Sequence, residues 1–142
     1  MSTVYLDTNI FLYLSDITSP FHADCVNLIL YCQQQNTRVT TSVETIQEII
    51  HFAKNTKQLK TGIEVSQTTL SLVDGLFDIT NKSINEFLEK VEVYSSAKSR
   101  DVLHLSVCIE NQIHTIITYD GDFDIFKEVE VFSAKEYLAQ HD

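Results

Sequence analysis

Proline occurs once and glycine three times in 142 residues. That is too little punctuation for the tight turns of an all-β sandwich or barrel, so a helix-rich domain is favoured. Cysteine is also scarce. Cys25, Cys32 and Cys108 are odd in number and lack CxxC spacing, and Cys25 and Cys32 fall seven apart on one helix face, a pattern of buried reduced thiols rather than a disulfide framework. No apolar run approaches the roughly 18 residues that span a bilayer. The opening MSTVYLDTN has no basic region and reaches an acid at position 7, so a soluble cytoplasmic protein is expected. Positive charge is in short supply: 10 Lys and Arg face 20 Asp and Glu, a net charge of −10. This opposes nonspecific attraction to phosphates and argues against a nucleic-acid coat protein. It does not exclude an enzyme acting on nucleic acid, because local charge matters more than the total.

What the chain does have is 44% apolar composition, enough for one compact domain over residues 1–142 with a core of its own. Against that background four acids stand out: Asp7 closes the run VYL, Glu48 lies within TIQEII, Asp101 opens RDVLHLSVCI, and Asp120 follows TIIT by one residue. A carboxylate held against a core costs free energy unless a hydrogen bond or a cation compensates it, so several together suggest a metal centre. Five of the ten basic residues flank two of these acids: Lys54, Lys57 and Lys60 follow the Glu48 segment, and Lys98 and Arg100 precede Asp101. They are candidates for holding an anionic substrate, or solubilising charges on helix ends.

Short β-branched runs alternate with longer segments of helical period, the pattern of parallel strands joined by helices. Strands are expected at 3–6, 38–40, 115–118 and within EVEVF. Helices are expected at about 8–15, 21–35, 57–74, 83–96 and 99–111. Capping boxes are read at Thr41 with Glu44, Ser83 with Glu86, and Ser133 with Glu136, and Ser99 is read as an N-cap. Glu44 is thereby given a structural job, Glu48 the second turn of a helix, and Asp101 a first turn, where the helix dipole favours an anion. In open α/β sheets ligands bind beyond the carboxyl ends of the strands, where strand order reverses. Asp7 and Asp120 belong at that edge, with Glu48 and Asp101 within reach. Oxygen ligands without a matching His or Cys set favour Mg²⁺ or Mn²⁺ over zinc.

The segments YLDTNIFLY, TSVETIQEII, SRDVLHLSVCIENQI and TIITYDGDF, in this order and across the whole chain, resemble the PIN domain family, and within it the VapC-type toxins of prokaryotic toxin–antitoxin pairs. The resemblance implies a three-layer α/β/α domain with a short, mostly parallel central sheet surrounded by helices. It also implies a Mg²⁺- or Mn²⁺-dependent endoribonuclease whose acidic centre is Asp7, Glu48, Asp101 and Asp120, leaving a 5′ phosphate. By the same resemblance Asp7, Asp101 and Asp120 bind metal, Glu48 binds a second ion or positions water, and Asp122 supports the site. Thr8, Asn9 and Thr118 hold carboxylates or backbone in place, although each also fits a helix cap or a strand end. Lys98, Arg100 and Lys54 are the candidate substrate-binding residues. An antitoxin protein and a homodimer are the partners implied.

A divalent cation makes water a usable nucleophile near neutral pH and offsets charge on phosphoryl oxygens, which gives the acids their chemical reason. His51 and His104 each follow a proposed ligand by three residues, and packing is favoured for both, since such chemistry needs no histidine base. Asp24, Asp74, Asp78 and Asp124 read as solvated. Tyr5, Phe11, Tyr13, Phe21 and Phe87 read as core rather than as base-stacking platforms. The alternatives are a PIN-fold binding module without catalysis and a non-toxin PIN nuclease of RNA processing. A phosphoacceptor domain is further away, because no early acid pair and no lysine after TIIT is present.

Overall fold

The computed structural model describes residues 2–141; Met1 and Asp142, the ends of the expected domain, lie outside the described residues. A five-stranded parallel sheet of order β3-β2-β1-β4-β5 forms the centre. The strands are β1 (Thr3–Leu6), β2 (Arg38–Ser42), β3 (Gly75–Phe77), β4 (Thr115–Ile117) and β5 (Glu130–Phe132). The helices are α1 (Thr8–Leu14), α2 (His22–Gln34), α3 (Val43–Asn55), α4 (Leu59–Leu72), α5 (Asn81–Val93), α6 (Ser99–Glu110) and α7 (Ala134–His141), with a 3₁₀ turn at Gly121–Ile125. The α/β/α class expected from the sequence is the one observed.

Strand periodicity builds the two core layers. Val4 and Leu6 of β1 point to one face, where they pack with Ile10, Leu28, Val39, Ile49 and Ile117. Tyr5 points to the other, among Val102, Leu105, Cys108, Ile116 and Phe123. The register agrees: Val4 pairs with Val39, Tyr5 with Ile116 and Leu6 with Ile117, so neighbours on each face share a layer. Cys25, Cys32 and Cys108 are free and buried. Among the described residues, no helix is long and apolar enough to cross a membrane.

Strand order reverses between β1 and β4, and Asp7 and Asp120 follow the carboxyl ends of these two strands. The backbone crosses that seam, with Asp7 N–H donating to Ile117 O at 3.0 Å. The buried hydroxyls of β2 are spent on the same region: Thr40 Oγ1 donates to Val4 O at 2.8 Å and Thr41 Oγ1 to Leu6 O at 2.9 Å.

Several local expectations are corrected. The N-cap of α3 is Ser42, not Thr41, because the Thr41 hydroxyl is committed to the β1 carbonyl, so the expected Thr41–Glu44 box does not form among the described residues. The box of α5 pairs Thr80 with Ser83, one turn ahead of the expected Ser83 and Glu86, and Glu110 of α6 accepts both hydroxyls, at 2.5 and 2.6 Å. Ser99 is the first helical residue of α6, with Lys98 at the cap position. The Ser133–Glu136 box is found as expected. The strand Gly75–Phe77 is additional to those expected. It is short and carries a glycine, and Asp74, read as solvated, splices it to β2 by accepting from Val39 N–H at 2.9 Å.

Candidate metal centre

Asp7 follows β1 and caps α1, and only 6% of it is exposed. Its Oδ1 accepts from Thr8 N–H at 2.8 Å, and its Oδ2 accepts from the Thr118 hydroxyl at 2.7 Å and from Asn9 Nδ2 at 3.3 Å. Thr118 in turn accepts from Asn9 Nδ2 at 3.1 Å and from Asp120 N–H at 3.0 Å. Asn9 Oδ1 closes the knot by accepting from Tyr119 N–H at 3.2 Å. Thr8, Asn9 and Thr118 thus orient the carboxylate that lies at the strand-order reversal. Burial nevertheless raises Asp7's pKa, opposed by His104, Thr118 and Thr8.

Asp101 lies in the first turn of α6, 5% exposed. Its Oδ2 is buried and meets no hydrogen-bond partner among the described residues. Burial, then the nearby Asp120 and Asp7 charges, push its pKa up to about 6. Asp120 caps the 3₁₀ turn by accepting from Asp122 N–H at 2.9 Å. Asp101, Asp120 and Asp122 each offer an oxygen within 4.8 Å of the others. A buried carboxylate with one oxygen unpartnered, clustered with two more carboxylates, is a donor set a divalent cation would satisfy, and its all-oxygen chemistry suits Mg²⁺ or Mn²⁺.

Glu48, in the second turn of α3, belongs to a second cluster with Asp7 and His104. Its Oε1 accepts from Thr8 Oγ1 at 2.7 Å and meets His104 Nε2 at 2.5 Å. Burial alone would raise Glu48's pKa, but the His104 hydrogen bond and charge, then Thr8 and Arg100, hold it below its ordinary value. The same contacts raise His104 against its own desolvation. Glu44, one turn before Glu48, is raised by burial and by Glu48's charge, so an acid assigned to capping instead feels the site. The i, i+4 spacing of the two glutamates was the available signal.

A cleft of about 390 Å³ gathers all four acids with Thr8, Asn9, Lys98 and Arg100. Arg100 Nε lies 3.8 Å from Glu48 Oε2, and Lys98 Nζ 3.7 Å from Asp122 Oδ2, with both basic side chains about half exposed. Lys54 does not line this cleft. It lies in the last turn of α3, and the cleft takes that helix's Glu48, His51, Phe52 and Asn55 instead. His51 is at the cleft wall, bonded to Asn55 at 3.1 Å. His104 is buried as expected, yet packing is not its whole role, since it touches Glu48 and sits 3.6 Å from Asp7 Oδ1. Its position three residues after Asp101 on an inward-facing helix was the clue. Of the aromatics, Tyr5 and Phe11 are core, while Tyr13, Phe21 and Tyr119 form a cluster in which Phe21 stacks on Tyr119 with centroids 4.3 Å apart.

The PIN domain family matches residues 4–129, and the chain belongs to this family. It is 24% identical to ribonuclease VapC13 of Mycobacterium tuberculosis over 123 residues, covering 87% of this chain and 94% of that protein. Among solved structures, VapBC2 from Rickettsia felis bound to a promoter DNA fragment matches with a TM-score of 0.75 at 17% identity, covering 92% of this chain and 98% of that one. VapC20 of M. tuberculosis, a toxin cleaving the sarcin-ricin loop, matches with a TM-score of 0.70 at 18% identity, covering 89% and 98%.

Proposed function

We propose that this protein is a Mg²⁺- or Mn²⁺-dependent endoribonuclease hydrolysing RNA phosphodiester bonds, the toxin of a toxin–antitoxin pair acting in the cytoplasm as a homodimer. One observation carries the metal reading: Asp101, whose buried Oδ2 has no hydrogen-bond partner among the described residues, clusters with Asp120 and Asp122. Asp101 and Asp120 would hold the cation, with Asp7 beside them and Asp122 at the exposed rim. When bound, the cation supplies Lewis acidity that activates water and offsets charge on the phosphoryl oxygens. The chain's own residues do the rest. Thr118, Asn9 and the Thr8 amide fix the Asp7 carboxylate, Glu48 faces the same cleft to position water or a second ion, and Arg100 and Lys98 offer the only cationic side chains lining it among the described residues. These would hold the RNA backbone. Membership of the family and the likeness to VapC13 support the ribonuclease reading, and the likeness to VapBC structures supports an antitoxin partner.

The test is incubation of purified protein with structured RNA in Mn²⁺, Mg²⁺ or EDTA, beside folded Asp7→Asn and Asp101→Asn variants. Cutting that needs metal and is lost in both variants is the expected result. Cleavage surviving EDTA and both substitutions would overturn it, and metal binding without cleavage of any RNA would favour a binding module.

A further inference from the structure

A buried file of hydrogen bonds runs from the core into the cleft. Ser42 Oγ lies 2.7 Å from Tyr5 Oη, Tyr5 Oη 2.5 Å from His104 Nδ1, and His104 Nε2 2.5 Å from Glu48 Oε1. Ser42, Tyr5 and His104 are all fully buried. The file joins four elements, since Tyr5 is on β1, Ser42 ends β2 at the N-cap of α3, Glu48 is in the second turn of α3, and His104 is on α6. Ser42 occupies the N-cap of α3 but makes no side-chain cap bond. A cap serine ordinarily bonds a first-turn amide, so the position forgoes that role and meets Tyr5 instead.

Donor counting fixes the polarity at the cleft end. An ionised carboxylate only accepts, so the proton of the short contact is on His104 Nε2. Nδ1 accepts from the Tyr5 hydroxyl in the neutral ring and donates to it in the charged ring, and in either case Tyr5 Oη, itself bonded to Ser42, fixes the ring's orientation. With Thr8 also donating to Oε1, that oxygen takes two bonds, and Oε2 is left turned toward Arg100 and the cleft. The geometry points to Tyr5 and His104 as positioning residues, a rigid brace that holds Glu48 so that Oε2 alone is offered to a cation or its water. This inference rests on the metallonuclease reading. Groups that orient ligands in this way ordinarily change metal affinity or activity by roughly 10- to 100-fold when removed.

Two experiments decide it. Long-range ¹H–¹⁵N spectra of the labelled, metal-free protein should show the His104 ring protonated on Nε2, with that proton's resonance displaced in Glu48→Gln and in Tyr5→Phe. A bare Nε2, or a resonance indifferent to both changes, overturns the brace. Calorimetric Mn²⁺ binding and RNA-cleavage kinetics should show His104→Leu weaker in metal binding and lower in kcat by roughly 10- to 100-fold, with KM for RNA unchanged. His104→Gln, whose amide can still donate toward Glu48, should recover most of both. A merely structural role would give no such split, and equal behaviour of wild type, Leu and Gln variants overturns the proposal. If His104→Leu does not fold, the Gln and Tyr5→Phe variants carry the same comparison. A wild-type protein without metal-dependent cleavage would sink the ribonuclease reading, while the spectra and Mn²⁺ binding would still judge the brace.

Discussion

The Thr118 hydroxyl donates to Asp7 Oδ2 at 2.7 Å across 111 positions of sequence, tying the ends of the two strands between which the sheet reverses. Both residues are buried, and the same hydroxyl receives Asn9 and the Asp120 amide. Thr118→Val keeps the shape and removes all three bonds. Orphaning buried polar groups costs about 1–3 kcal/mol, so urea unfolding should show a loss of that size with an unchanged m-value. Thr118→Ser should retain most of the stability. Cleavage should fall in the valine variant, because Asp7 loses the donor that fixes its rotation.

Asp101 makes the metal-free protein pH-sensitive in a defined direction. An aspartate in an unfolded chain titrates near 3.9, whereas burial, Asp120 and Asp7 raise Asp101 to about 6. The folded state keeps a proton that the unfolded state has lost, so this group's contribution is fully present below about pH 4 and is lost as pH rises to about 6. The size is roughly 1–3 kcal/mol. In EDTA, Asp101→Asn should therefore be more stable than wild type at neutral pH, with the gap closing toward about pH 4. Equal stability of the two proteins across this range would show that Oδ2 is not an uncompensated carboxylate.

Adding Mn²⁺ should reverse that ranking. A ligand binding only the folded state stabilises it by about 2.7 kcal/mol at a hundredfold excess over Kd. Wild type should gain this in thermal unfolding, and Asp101→Asn and Asp120→Asn should gain little. A gain that survives in both variants would place the cation elsewhere.

Much of this was legible in the sequence, and the unread parts have physical causes. Asp7, Glu48, Asp101 and Asp120 were visible because carboxylates interrupt apolar runs, and they do line one cleft. The strands Thr3–Leu6 and Thr115–Ile117 were legible from β-branched runs. Gly75–Phe77 was not, since three residues carry no period and its place is set by pairing with β2. The caps at Thr41 and Ser83 differ from expectation because a hydroxyl's partner is chosen by tertiary neighbours: Leu6 O captures the Thr41 hydroxyl, and Glu110 Oε2 captures that of Ser83. His104 showed its burial in the pattern LHLS but not its contact with Glu48, which depends on α3 lying beside α6.

The cleft separates the basic residues that the sequence grouped together. Arg100 and Lys98 line it and Lys54 does not. Arg100→Ala and Lys98→Ala should each raise KM for RNA and lower the slope of log KM against log salt by about 0.7 for each single-strand phosphate no longer neutralised. Lys54→Ala should leave both unchanged. A Lys54→Ala effect as large as that of Arg100→Ala would mean that RNA extends well beyond the cleft.

Gly62 sets how closely α4 approaches the helix that carries Glu48. A Cβ on Gly62 would overlap the Ala53 Cβ of α3, with Ile49 O 3.7 Å away. Helix propensity alone favours Gly62→Ala by about 1 kcal/mol. Overpacking a close contact costs about 1–3 kcal/mol, so the net change should be destabilising despite the better helix former. Ala53→Gly in the same chain removes the opposing methyl, and the double variant should recover more than the single effects predict by addition. A stabilised Gly62→Ala, or strict additivity in the cycle, would show that the two helices do not meet at this point.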